Sequence, residues 1–138
     1  MWSNTCYNSG LGSFQKWWIG NEIRTLLLAD SGISEMVGVD VYPVIAPENT
    51  NAEFIVYRRT AYRKETVKEG VYEDVCNMEI VAVSDKYDNA LALAEMIDNC
   101  LTGKHETDEG EKFSMLLVDS SEGYDDNKYF QKLSFEIK

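Results

Sequence analysis

Residues 71–101 constrain the fold most, because a strand pattern of period two runs without a linker into a helical pattern. Val75, Asn77, Glu79, Val81 and Val83 fall on one face of an extended strand, and Cys76, Met78, Ile80 and Ala82 on the other. From Tyr87 the apolar residues recur at Ala90, Leu91, Ala94, Ile97 and Leu101, which is helical spacing. Ser84 and Asp85 are the candidate N-caps and Gly103 the stop. A strand feeding directly into a helix that must fold back on it implies a layer of helix on sheet.

The chain has 138 residues, which predicts one domain with enough core to fold without a metal or a disulfide. No apolar run approaches the roughly 18 residues of a membrane span. The start lacks a basic region followed by an apolar segment, so an intracellular origin and no membrane partner are expected. Three cysteines, Cys6, Cys76 and Cys100, match neither a metal knuckle nor a disulfide framework. Cys76 and Cys100 sit within apolar patterns and read as buried free thiols.

A formal net charge of −11 argues against a sequence-reading nucleic-acid binder, which carries a basic stripe. Passive contact is compatible with acidity, since a conduit for DNA benefits from repelling phosphates. The charge is also uneven. Arg58, Arg59, Arg63, Lys64 and Lys68 cluster mid-chain, whereas Glu106, Asp108, Glu109, Glu111, Asp119, Glu122, Asp125 and Asp126 crowd the last third. One molecule is thereby equipped to attract a copy of itself.

Residues 1–18 read as a flexible arm or an appended segment, and residues 19–138 as a single α+β domain. A first helix is expected from about Phe14 or Ile19 to Ala29, its core face marked by Ile19, Ile23, Leu26 and Leu27, with Ser31 and Gly32 as terminator. Trp17 and Trp18 are expected to pack beneath a sheet edge, the alternative being a stacking platform for a partner. Strands are predicted over 39–44, with Pro43 marking an edge, and over 54–62. A projecting charged loop over 63–73 and a hydrophilic loop over 103–111 are expected. A hairpin follows, its first strand over 113–119 and its turn over 122–128. The closing strand alternates, with Tyr129, Gln131, Leu133, Phe135 and Ile137 on one side. The predicted architecture is an antiparallel sheet of four to five strands with two helices on one face, in the order α-β-β-β-α-β-β. Leu91, Ala94, Ile97, Leu133, Phe135 and Ile137 are expected to share the core.

Several short runs together carry a family resemblance: Asp40-Val-Tyr-Pro43, Phe54-Ile-Val-Tyr57, the charged loop to Gly70, Met78-Glu-Ile-Val-Ala-Val-Ser-Asp85, the Ala-rich helix ending at Leu101, and Tyr124-Asp-Asp with Leu-Ser-Phe-Glu-Ile137. In this succession, over about residues 19–138, the chain resembles the tail-completion or tail-terminator proteins of long-tailed bacteriophages and prophages. The resemblance implies a non-enzymatic virion protein that assembles in the host cytoplasm into a homo-oligomeric, hexameric ring on the virion tail. Its implied partners are the tail tube protein and a head-tail connector protein, with passive contact to DNA in the central channel, and it implies no cofactor. Another ring component of the same particle and a generic cytosolic adaptor are the alternatives.

An enzymatic reading finds little to use. His105 is the single histidine, read as a solvated loop residue, and HExxH, GxSxG and GxxxxGK[ST] motifs do not occur. Asp119, Glu122, Asp125 and Asp126 would have to gather around a hard cation for a carboxylate or metal-dependent enzyme; the preferred reading is a polar hairpin turn. No catalytic, cofactor-binding or metal-binding residue is therefore assigned. The interface candidates are Arg58, Arg59, Arg63, Lys64, Val67, Lys68 and Val71, as one side of a head-to-tail contact whose other side is acidic and C-terminal, the alternative for the basic residues being a solvated strand face.

Overall fold

The computed structural model describes residues 16–48, 50, 52–66 and 72–138. The described residues open with a 3₁₀ turn, Lys16–Trp18, that leads into α1, Ile19–Ala29. Ile19, Ile23 and Leu27 recur at helical spacing on the inner face of α1 and are fully buried. At Asp30 the backbone leaves helical geometry (φ −81°, ψ 120°), and its carboxylate accepts from Ile33 N at 3.0 Å. Asp30 is thus the N-cap of a second helix, α2, Ser31–Val37. Ser31 and Gly32, expected to terminate the first helix, instead begin the next.

Six strands form one sheet in the order β1-β2-β3-β6-β5-β4. They are β1, Val41–Pro43; β2, Phe54–Thr66; β3, Tyr72–Ser84; β4, Gly103–Glu106; β5, Lys112–Asp125; and β6, Lys128–Ile137. α3, Tyr87–Leu101, lies between β3 and β4 in the chain. The α+β class holds, with three corrections. Among the described residues there are three α-helices rather than two and six strands rather than four to five, in the order α-α-β-β-β-α-β-β-β. The sheet is mixed, because β1 pairs parallel to β2. The hydrophilic stretch 103–111 contains β4, which the sequence hides because three of its four residues are exposed, only His105 is half-buried, and no apolar row results.

All three helices cover one face of the sheet. That face is built from Ile55 and Tyr57 of β2, Cys76, Met78, Ile80 and Ala82 of β3, Leu133, Phe135 and Ile137 of β6, and Phe113 and Met115 of β5, all buried. The alternation read for β3 and β6 is therefore the observed one. For α3 the stripe is rotated. Ala90, Leu93, Ile97 and Leu101 are buried, whereas Leu91 and Tyr87 are exposed and Ala94 is half-buried. The expected core set thus loses Leu91 and takes Leu93. Both rows have helical spacing in the sequence, and the approach of α3 to β3 and β6 selects between them.

The hairpin turn is shorter than expected. β5 continues to Asp125, and only Asp126 (φ 53°) and Asn127 (φ 63°) reverse the chain. Two consecutive residues at positive φ make the primed two-residue turn that matches strand twist, and Asp and Asn tolerate that region best among non-glycine residues. At the β1 end, Val44 adopts φ 67° and Ile45 N donates to Pro43 O at 2.7 Å. A β-branched side chain is disfavoured there by steric crowding.

Cys76 is buried and Cys100 half-buried, both as free thiols. Cys100 Sγ donates to Leu26 O at 3.4 Å, and burial pushes its thiol up to about 11. Burial likewise raises Cys76. At pH 8 roughly one part in a thousand of Cys100 is then the reactive thiolate. Both cysteines are expected to resist alkylation in the native protein and to react promptly in guanidinium, with mass spectrometry locating the label. Fast native labelling of either would contradict their placement.

Candidate assembly surfaces

The basic candidates lie on and beyond the outer strand β2. Its neighbour β1 covers only Ile55, Val56 and Tyr57, so residues 58–66 have no outer strand among the described residues. A bulge between Arg59 and Ala61 switches the alternation of β2. Arg58 and Arg63, opposite Glu79 and Val75, therefore face away from the helices, while Arg59 and Lys64, opposite Met78 and Asp74, face the helical side. Arg58 Nη2 donates to Glu79 Oε1 at 3.2 Å, and Lys132 Nζ lies 3.8 Å from Glu79 Oε2. Arg59 Nη1 donates to Trp17 O at 3.0 Å, with its guanidinium 4.8 Å from the Trp17 ring centroid. Arg63 and Lys64 are exposed. Val67, Lys68 and Val71 fall outside the described residues.

Trp17 and Trp18 do not pack beneath the sheet: they are 61% and 67% exposed. The 3₁₀ turn sends Lys16 and then Ile19 inward and leaves the two indoles on the outside. Trp17 meets Tyr62 edge-on at 5.1 Å. Lys16 was not singled out from the sequence, yet its ammonium is buried and stands 3.6 Å from Asp74 Oδ2. Nothing local announces that pairing, since its partner is far along the chain.

The acidic candidates lie on the opposite flank. Outer strand β4 covers β5 only at 112–115, so residues 116–125 have no outer strand among the described residues. A bulge between Leu117 and Asp119 brings Ser120, Glu122 and Tyr124 to the helical side, opposite Leu133, Gln131 and Tyr129. Leu116, Val118 and Tyr124 are all more than half exposed. Asp119 Oδ1 accepts from Ser120 N at 2.9 Å. Glu122 Oε1 accepts from Gln131 Nε2 at 3.0 Å and Tyr87 Oη at 2.8 Å, and these two bonds hold its carboxyl below the ordinary glutamate value. The carboxylates are thus spread along a strand edge rather than gathered. Among the described residues no group of three or more His, Cys, Asp or Glu is arranged to hold a metal ion.

His105 is not a solvated loop residue. It lies on β4, half-buried, 5.3 Å from the Phe113 ring, and its Nε2 donates to Leu101 O at 2.6 Å. A ring donor on a final helical carbonyl satisfies the α3 C-terminus.

No known protein family and no curated protein matches this chain. A solved structure does. The chain shares its fold with a chain of the virion of a native gene transfer agent particle. The two superpose with a TM-score of 0.66 at 14% sequence identity, over 83% of this chain and 89% of that one. At such identity the likeness concerns the fold. Among the described residues no helix is long and apolar enough to cross a membrane.

Proposed function

We propose that this chain is a non-enzymatic structural subunit of a phage-like virion: a tail terminator that forms a ring on the head-proximal end of the tail tube, stops tube growth and joins the tail to the head. The observation that carries this reading is the fold shared with a virion chain over nearly the whole of both molecules. Two further features support it. The two flanks of the sheet present unlike charge, which suits a heterologous contact between two different patches. The polar groups with a chemical look are occupied in structural roles: Glu122 by Tyr87 and Gln131, and His105 by the helix end.

In a ring of this kind the tube protein meets one rim and the connector the other, while DNA passes a strongly acidic wall. The virion tail is the place of action, with assembly in the host cytoplasm. A tube subunit is the competing role, and tail length separates the two. Particles lacking this chain are expected to carry tails of uncontrolled length that remain unjoined to heads, and supplying the chain should restore fixed length and joining. Absence of any tail tube in such particles would instead make it the tube subunit.

A further inference from the structure

α3 meets the β5–β6 hairpin across an open groove of about 620 Å³. Its floor is apolar, made by Leu91 and Ala94 of α3, Leu117 of β5 and Leu133 of β6. Its helical wall is acidic. Asp88, Glu95 and Asp98 line that wall, separated by close to two turns and then one turn of helix, so all three carboxylates border the same groove. Among the described residues none of the three has a cation within ion-pair distance. Lys132 also borders the groove, but its ammonium stands 3.8 Å from Glu79 on the far face of the sheet.

The acidic row does not serve the helix that carries it. Asp98 lies in the last turn of α3, which holds no basic residue, so its charge opposes the helix dipole. Its Oδ1 accepts from Thr102 Oγ1 at 2.6 Å, a local bond that leaves the charge uncompensated. Glu95 and Asp98, three residues apart, repel each other as well. Leu91, in turn, keeps an apolar side chain exposed at the groove. We infer that this groove docks a basic amphipathic helix of another protein, whose apolar stripe covers Leu91, Ala94, Leu117 and Leu133 and whose Lys or Arg side chains meet Asp88, Glu95 and Asp98. The inference goes beyond the ring reading above and does not depend on it.

Charge and shape select the occupant. From Asp88 to Asp98 the wall runs for roughly 15 Å at 1.5 Å per residue, which about three turns of a helix lying along α3 would span. A strand is the poorer fit, because on β5 beside the groove the Ser120 amide is already met by Asp119 Oδ1 at 2.9 Å and offers no ladder bond there. A second copy lacks the complementary element. Among the described residues α1 carries one cation, Arg24, whose Nε donates to Val41 O at 3.1 Å, and α2 and α3 carry none. Nucleic acid is excluded by the same carboxylates, which repel phosphates.

The test uses the full chain and a fluorescent amphipathic helical peptide built of leucine and lysine, with a counterpart carrying glutamate in place of every lysine. Fluorescence anisotropy should show binding of the lysine peptide and none of the glutamate one. Glu95→Lys with Asp98→Lys is expected to weaken binding by about tenfold or more and Leu91→Ala by about three- to tenfold. Glu35→Lys with Glu109→Lys makes the same change in net charge at exposed positions that do not line the groove, and should stay within about threefold of the wild type. Circular dichroism checks each fold, and should the reversal disturb α3, Glu95→Gln with Asp98→Asn repeats the comparison. A wild type that does not bind the lysine peptide, groove variants that bind it unchanged, or an equal loss in the Glu35 and Glu109 variant would overturn the proposal. So would a Glu95 and Asp98 variant that loses self-association but not the peptide, which would give the groove to a second copy. None of these results bears on whether the chain caps a tail tube.

Discussion

Truncating Phe135 to alanine is expected to destabilise the protein by about 3 to 5 kcal/mol, the range for emptying a fully buried aromatic site. Phe135 is completely buried at the middle of the sheet, flanked on its own face by Met78 of β3 and Leu117 of β5. Strand neighbours on both sides are held by backbone ladders and cannot close in on the space, which favours the upper part of that range. For a domain of this size the loss corresponds to a fall in Tm of roughly 10–20 °C. Thermal unfolding followed by circular dichroism measures it, and an unchanged Tm would contradict the placement of the core.

The second large effect distinguishes two leucines two positions apart on α3. Leu93→Ala should cost about 2 to 5 kcal/mol, whereas Leu91→Ala should cost less than about 1 kcal/mol. Leu93 is wholly buried against the sheet, and Leu91 is 39% exposed at the rim of a groove between α3 and the β5–β6 hairpin. Urea titrations of the two variants at equal protein concentration read the difference directly. Equal losses would mean that α3 presents a different face from the one described.

The same pair of leucines shows how far the sequence carries. α3 as an element was legible in the spacing of its apolar residues, but two overlapping rows, one through Leu91 and Ala94 and one through Leu93 and Ile97, both satisfied that spacing. The choice is made by how the helix lands on β3 and β6, which is a tertiary fact. β3 and β6 were legible down to individual faces because each is flanked by strands on both sides and buried on one face, so alternation survives intact. Bulges spoil it elsewhere: β2 and β5 change face at Arg59/Ala61 and Leu117/Asp119, and the outer part of each reads as irregular. The break at Asp30 was hidden for a related reason. An Asp followed by Ser-Gly stops a helix as readily as it caps a new one, and only the bond to Ile33 N reveals the restart.

The assembly surfaces were half legible. The opposite charges of the middle and the last third were visible as composition, and the structure places them on opposite flanks of one sheet. That the short strands β1 and β4 cover only the first residues of β2 and β5 is a matter of long-range pairing, with no local signal in either strand. The clamp of Arg59 on Trp17 and the burial of Lys16 beside Asp74 are likewise contacts between distant residues, so the aromatic pair read as core when it is in fact surface.

Negative-stain electron microscopy of the purified full chain, alone at rising concentration and mixed with tail tubes, tests the central claim most directly. Closed rings of one size with a central opening are expected, free in solution at high concentration and seated singly at one end of each tube. Monomers at every concentration together with bare tube ends would contradict it.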